Sequence, residues 1–112
     1  AASDVYKRQL MSQSVLDGLC STRNDVAGVA LLGPDGHSLA SSGPRAHDAK
    51  KAAEEAMCML ESGQRMTLEA ERGWAVAERF QTGELWLVLT EASPNLGGLL
   101  AEVRRCCERL AR

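Results

Sequence analysis

The chain has 112 residues, of which 45% are hydrophobic and 25% are charged, and its formal net charge is −2 at pH 7. This length and composition are typical of one soluble globular domain with a single core. The near-neutral charge excludes a global field that would attract nucleic acid or an anionic membrane surface. No apolar run approaches the roughly 18 residues of a membrane span.

The cysteine pattern predicts neither a disulfide framework nor a metal site. Neither a CxxC pair nor a zinc pattern with His37 and His47 is present. The first residues lack the apolar stretch of a signal peptide. We therefore expect the cysteines to remain reduced thiols, which predicts a cytoplasmic protein. The sequence contains no GxSxG, HExxH, P-loop or GxGxxG motif, and we expect no enzyme activity and no cofactor. The four cysteines are Cys20, Cys58, Cys106 and Cys107.

The first half of the chain predicts a helix followed by a β-hairpin. Residues 1–9 show no apolar period and are expected to be disordered or foreign to the native protein, leaving a domain over residues 10–112. Helical spacing of apolar residues begins at Leu10. Residues 26–32 (VAGVALL) are apolar on both faces, which is typical of a central strand covered by helices on both sides. A Gly-Pro-Asp-Gly turn then leads into a short polar strand at residues 37–42.

A second helix is predicted over residues 47–62, with Gly63 at its end. Its apolar stripe consists mostly of small side chains at helical spacing. Small side chains let two helices approach closely, so the stripe suggests a helix–helix contact. The stripe residues are Ala49, Ala52, Ala53, Ala56, Met57 and Leu60.

Three strands and a closing helix complete the pattern. Residues 66–72 alternate strictly between apolar and polar, as in an edge-like strand. Strands at residues 74–81 and 85–90 follow, and the second of these is apolar on both faces. A helix is predicted over residues 95–111. The fold class is therefore α/β (α+β), in the order α-β-β-α-β-β-β-α, with a five-stranded antiparallel sheet between helices on both faces.

The sequence resembles the roadblock family, which includes dynein light chains and bacterial MglB-like GTPase regulators. The resemblance rests on DVAGVALLGPDGHSLASSG at residues 25–43, on the element order, and on NLGGLLAEVRRCCERL at residues 95–110. It implies strand order 2-1-5-4-3, with the first and last helices on one face and the middle helix on the other. Family members pair their third strands and pack their middle helices together, so the resemblance implies a dimer.

The dimer expectation names specific residues on the middle helix and the third strand. Leu68 is the residue expected to matter most, because a charge there would disrupt packing. The partner is expected to be a second copy of this chain or a related chain. The predicted interface comprises Ala49, Ala52, Ala53, Ala56, Met57, Leu60, Met66, Leu68 and Ala70.

The resemblance also implies a Ras-like small GTPase as partner, with the chain acting as regulator or scaffold. Arg104, Arg105 and Arg109 on the last helix form a candidate partner-binding face. Arg45, Arg72 and Arg79 are candidates for a supplied catalytic arginine, but nothing in the sequence distinguishes one of them. Two alternatives stay open: a structural adaptor like the dynein light chains, and a small-molecule sensor of the GAF or PAS kind. The short connections between elements leave little room for the ligand pocket of a sensor.

Overall fold

A computed structural model describes residues 2–70, 73–91 and 96–110. The elements follow the predicted order and alternate between helices and antiparallel strands. In chain order they are α1 (Ala2–Thr22), β1 (Val26–Leu32), β2 (Ser38–Ser42), α2 (Ala46–Met59), β3 (Arg65–Ala70), β4 (Gly73–Arg79), β5 (Leu85–Thr90) and α3 (Leu96–Leu110).

The five strands form one sheet in the order β2-β1-β5-β4-β3, and every neighbouring pair is antiparallel. The central strand β1 shows the register clearly, because Val29 faces Ser42 on β2 and Val88 on β5. All seven residues of β1 are buried. The predicted sheet, its strand order and its central strands are therefore confirmed.

Successive side chains of each strand point to opposite faces, and this alternation divides the core in two. On one face Val29 and Trp86 pack with α1 and α3. On the other face Ala30 and Leu87 pack against α2. The molecule thus has three layers, with the sheet between one helix and a pair of helices, as the two doubly apolar strands require.

Helix α1 begins at Ala2 and not at Leu10, so residues 2–9 extend the helix beyond the apolar pattern. An ion pair links this extension to the sheet: Arg8 Nη2 donates to Glu84 Oε1 at 2.8 Å. Glu84 is buried in the turn between β4 and β5. Apolar periodicity does not reveal this extension, since the contact of Arg8 is polar and its partner lies 76 residues away. The expectation that residues 1–9 lie outside the native domain stays a prediction.

Helix α2 ends at Met59, three residues before the predicted end. Leu60 leaves the helix in an extended conformation (φ −102°, ψ 136°) and buries its side chain against the sheet. Gly63 therefore lies in the following turn, with φ of +86°, and its N–H donates to the Arg79 carbonyl at 2.7 Å. The free energy gained by burying Leu60 exceeds that of extending the helix to Gly63, so the helix ends at Met59.

Gly28 allows the start of α2 to approach β1. A Cβ atom at Gly28 would lie 2.5 Å from the Arg45 carbonyl oxygen and 2.7 Å from its carbon. We expect Gly28→Ala to lower the free energy of unfolding by about 1–3 kcal/mol, because backbone atoms must move apart. Urea denaturation measures this change. The control is Gly18→Ala, where nothing lies within 4 Å, so the protein should gain about 0.5–1 kcal/mol. Equal stability of both variants would contradict the close approach.

Candidate interaction surfaces

Strand β3 is an edge strand, and within the described sheet it pairs only with β4. Met66 and Leu68 lie opposite Ala77 and Ala75 on β4, on the face that carries α2. Thr67 lies on the other face, opposite Val76. The outer side of β3 therefore offers unpaired backbone N–H and C=O groups, which form a template for another strand.

An apolar patch adjoins this edge on the α2 face, and we name it the β3 patch. It consists of Met66, Leu68 and Ala75. Helix α2 packs mainly on β1 and β5, so the β3 patch stays partly uncovered. Leu68 is 48% exposed, while Met66 and Ala75 are half-buried. The side chain of Ala70, the last predicted interface residue of the strand, lies outside the described residues.

Most of the alanine stripe of α2 packs on its own sheet. Ala49, Ala53 and Ala56 are fully or almost fully buried, and Leu60 is buried with them. These four residues keep little or no accessible surface within the single subunit, which argues against an intermolecular contact; their assignment to the dimer interface stays a prediction. Their small size instead brings α2 close to the sheet, as the contact at Gly28 shows.

Two other stripe residues keep some accessible surface. Ala52 and Met57 are half-buried at the edge of the same cluster. Met59, which the sequence interpretation did not single out, is 59% exposed. In the sequence, a methionine next to the apolar stripe is the signal that could have identified the outer face of α2.

The three arginines of α3 do not form one patch. Arg104 lines a cleft between α3 and the strands β3 and β4. Arg109 lines a smaller groove between α1 and α3. Arg105 is exposed and forms an ion pair with Glu102 one turn earlier. A partner that contacts this side of the molecule therefore meets cations at separate places.

The other candidate arginines differ in how freely they could reach a partner. Arg79 is tied to its own subunit, because its Nη1 donates to the Leu60 carbonyl at 2.8 Å and its Nε to the Gly83 carbonyl at 3.1 Å. Arg45 forms a salt bridge with Asp48 at 3.1 Å on the surface. Arg72 lies outside the described residues. Arg79 is thus a structural residue that joins the end of α2 to β4.

The cleft beside Arg104 has a volume of about 540 Å³ and is a feature that the sequence interpretation missed. It forms because α1 and α3 share one face of the sheet, and β3 and β4 extend beyond them. Val76 and Trp86 lie on its sheet side, and Val103 lies on its helix side. No local sequence signal marks such a space, since it depends on where α3 lies across the sheet.

Among the described residues, no three potential metal ligands come together, and no helix is long and apolar enough to cross a membrane. The four cysteines are free, with Cys106 and Cys107 buried and Cys58 exposed.

Comparison with known proteins shows which fold this is. The sequence matches no protein-family model and no curated protein. Its structure is similar to a roadblock/LC7 domain from Streptomyces avermitilis (TM-score 0.72, 17% identity, 87% of this chain and 95% of that one). It is also similar to Myxococcus xanthus MglB (TM-score 0.69, 15% identity, 92% and 86%). LokiProfilin2, solved in complex with rabbit actin, has a TM-score of 0.59, with 14% identity over 88% and 93% of the two chains.

Proposed function

Because the chain has the roadblock/LC7 fold, we propose that it is an MglB-like member of that family, a non-enzymatic, cytoplasmic and dimeric regulator or scaffold for a Ras-like small GTPase. The unpaired edge of β3 with the β3 patch beside it is the observation that carries the proposal. Similarity to Myxococcus xanthus MglB supports it. The fold alone does not select a partner, since LokiProfilin2 shares it and was solved with actin.

The proposed dimer pairs β3 of one subunit with β3 of a second copy or of a related chain. Such pairing satisfies the backbone groups of the free edge and joins two sheets into one. It also brings Leu68 and Met66 of both subunits together at the interface, where their apolar surface is removed from water. Each square ångström of apolar surface covered contributes about 25 cal/mol. The two subunits then present a composite surface to the GTPase.

The proposed regulator acts on the switch loops of the GTPase and supplies no catalytic arginine. A supplied arginine must extend into the nucleotide site of the partner. Arg79 cannot do so while its guanidinium is bonded to the carbonyls of Leu60 and Gly83. Arg45, held by Asp48 on the surface, is the remaining described candidate. We expect Arg45→Ala to change single-turnover GTP hydrolysis by less than about threefold; a loss of about 1,000-fold would instead identify a supplied arginine.

The binding test uses purified Ras-like GTPases from the genome that encodes this chain. Calorimetry with GDP-loaded and GTP-analogue-loaded protein should show a preference of about tenfold or more for one state. Arg104→Glu is expected to weaken binding of the GTPase. The matched control is Lys51→Glu, the same charge reversal at an exposed position of α2, which should leave binding unchanged. Equal affinity for both nucleotide states would favour the structural adaptor. Absence of binding to every GTPase would overturn the proposal.

A further inference from the structure

The free edge of β3 carries its two charges in a pattern that complements itself. Arg65 and Glu69 are the charged residues of the strand, and Thr67 lies midway between them. Alternate residues of a strand share a face, so all three side chains lie on the face that carries α1 and α3. All three residues are exposed, so a second strand beside β3 would meet them.

The backbone groups of the same three residues point out of the sheet. The Arg79 N–H donates to the Gln64 carbonyl at 2.9 Å, so that carbonyl points towards β4. The N–H of Arg65 lies on the opposite side of the same trans peptide plane and points away from β4. Because this direction alternates along an antiparallel strand, Arg65, Thr67 and Glu69 offer their N–H and C=O groups to a second strand.

Symmetry restricts how two copies of β3 can pair. In a symmetric antiparallel pair of identical strands, the twofold axis is perpendicular to the sheet, so both copies of α2 lie on the same side. Residues that face each other across the axis must then point to the same face of the sheet. It follows that one residue of β3 lies on the axis, directly opposite its own copy.

Within the described strand, one choice of this residue brings opposite charges together. With Thr67 on the axis, Arg65 of each subunit lies opposite Glu69 of the other, and the symmetry creates two such pairs. Met66 then lies opposite Leu68, again twice, on the α2 face. An axis at Leu68 places Thr67 opposite Glu69, and an axis at Met66 places Arg65 opposite Thr67. An axis at Arg65 or at Glu69 places two like charges opposite each other.

Both charged side chains are available for this pairing. Arg65 forms a salt bridge with Glu78 on β4 at 3.0 Å, and its side chain is still 67% exposed. Its guanidinium has five N–H donors, enough for Glu78 of its own subunit and Glu69 of the other. Glu69 lies opposite Trp74 on β4, which carries no charge. Opposite charges that face each other across two strands are favourable, and like charges are unfavourable.

We propose that β3 selects a second copy of this chain as its partner, in the register that places Thr67 on the twofold axis and Arg65 opposite Glu69. This inference rests on the proposed β3 dimer and adds the identity of the partner and the residues that specify it. A related chain with another order of charges on its third strand loses both ion pairs or meets like charges. The apolar pairs supply affinity, and the charged pairs supply selectivity.

The test mixes two charge-reversed variants, Arg65→Glu and Glu69→Arg. Each variant alone sets like charges against each other at both pairs, so its dimer should dissociate about tenfold or more readily than that of the parent protein. In an equimolar mixture, the heterodimer has opposite charges at both pairs again. It should bind about tenfold or more tightly than either variant binds itself. Analytical ultracentrifugation with a fluorescent label on one variant measures these equilibria.

The controls separate charge pairing from effects on the single subunit. Lys7→Glu changes the net charge as much as Arg65→Glu does, but at an exposed position of α1, and should dimerise like the parent. Unchanged far-UV circular dichroism shows that each variant is folded. If Arg65→Glu folds poorly, adding Glu78→Arg restores the salt bridge within the subunit with its charges exchanged.

The outcomes distinguish this inference from the dimer on which it rests. Recovery of dimerisation in the mixture alone supports the register with Thr67 on the axis. A dimeric parent whose variants show no loss, or no recovery on mixing, would overturn the register and leave the β3 dimer to the Leu68→Lys experiment. A monomeric parent would overturn the dimer itself.

Discussion

Ala53→Asp is expected to destabilise the subunit itself and not merely to separate a dimer. Ala53 is fully buried between α2 and the sheet, where Ala30 and Leu87 belong to the same apolar cluster. An aspartate at this position would be buried in an apolar cluster. Burial of an unpaired polar or charged group costs about 3 kcal/mol or more. Urea denaturation followed by far-UV circular dichroism should show a loss of that size in the free energy of unfolding.

Met59→Asp on the same helix is the matched control for this experiment. Met59 is 59% exposed, so its replacement should change the free energy of unfolding by no more than about 0.5 kcal/mol. The two variants separate a helix that packs on its own sheet from one that packs on a partner. If Ala53→Asp kept its native circular dichroism but lost half of its solution mass, the alanine stripe would belong to an interface after all.

The sequence predicted the central strands well because their signals are local. Residues 26–32 and 85–90 are unbroken apolar runs bounded by turn residues, and β1 and β5 have the same limits. A run that is apolar on both faces needs helices on both sides, so layer architecture followed as well. The strict alternation of residues 66–72 likewise identified β3 as an edge strand.

The surface of α2 was harder to predict, because periodicity shows that a face is apolar but not what it packs against. A stripe of alanines fits a close helix–helix contact as well as a close helix–sheet contact. Within the subunit the stripe packs on the sheet, and Gly28 in β1, which has no side chain, makes room for the start of α2. Nothing near α2 in the sequence indicates that pairing.

The site on the α3 side depended even more on tertiary geometry. Arg104 and Arg109 belong to the same basic stretch of sequence, yet they line different depressions on the two flanks of α3. The cleft beside Trp86 exists only because the sheet is wider than the two helices that cover this face. Helix positions across a sheet are set by the whole core, and a linear pattern does not encode them.

The remaining prediction concerns the feature that carries the proposed function. Leu68→Lys is expected to convert a dimer into a monomer, with the solution mass falling from near twice 12.0 kDa to about 12.0 kDa. Leu68 is 48% exposed, so a lysine there can stay solvated in the free subunit and leave its fold intact. In the proposed dimer, by contrast, two lysines would be buried in the apolar interface beside the paired strands. We expect the dissociation constant of the dimer to rise at least about 100-fold.

Light scattering over a range of protein concentrations measures this effect, and unchanged far-UV circular dichroism shows that the variant is folded. Met11→Lys places the same charge on an exposed apolar position of α1, 66% exposed, and should remain dimeric. A variant that stays dimeric would move the interface away from β3. A monomeric parent protein would remove the composite surface that the GTPase proposal requires.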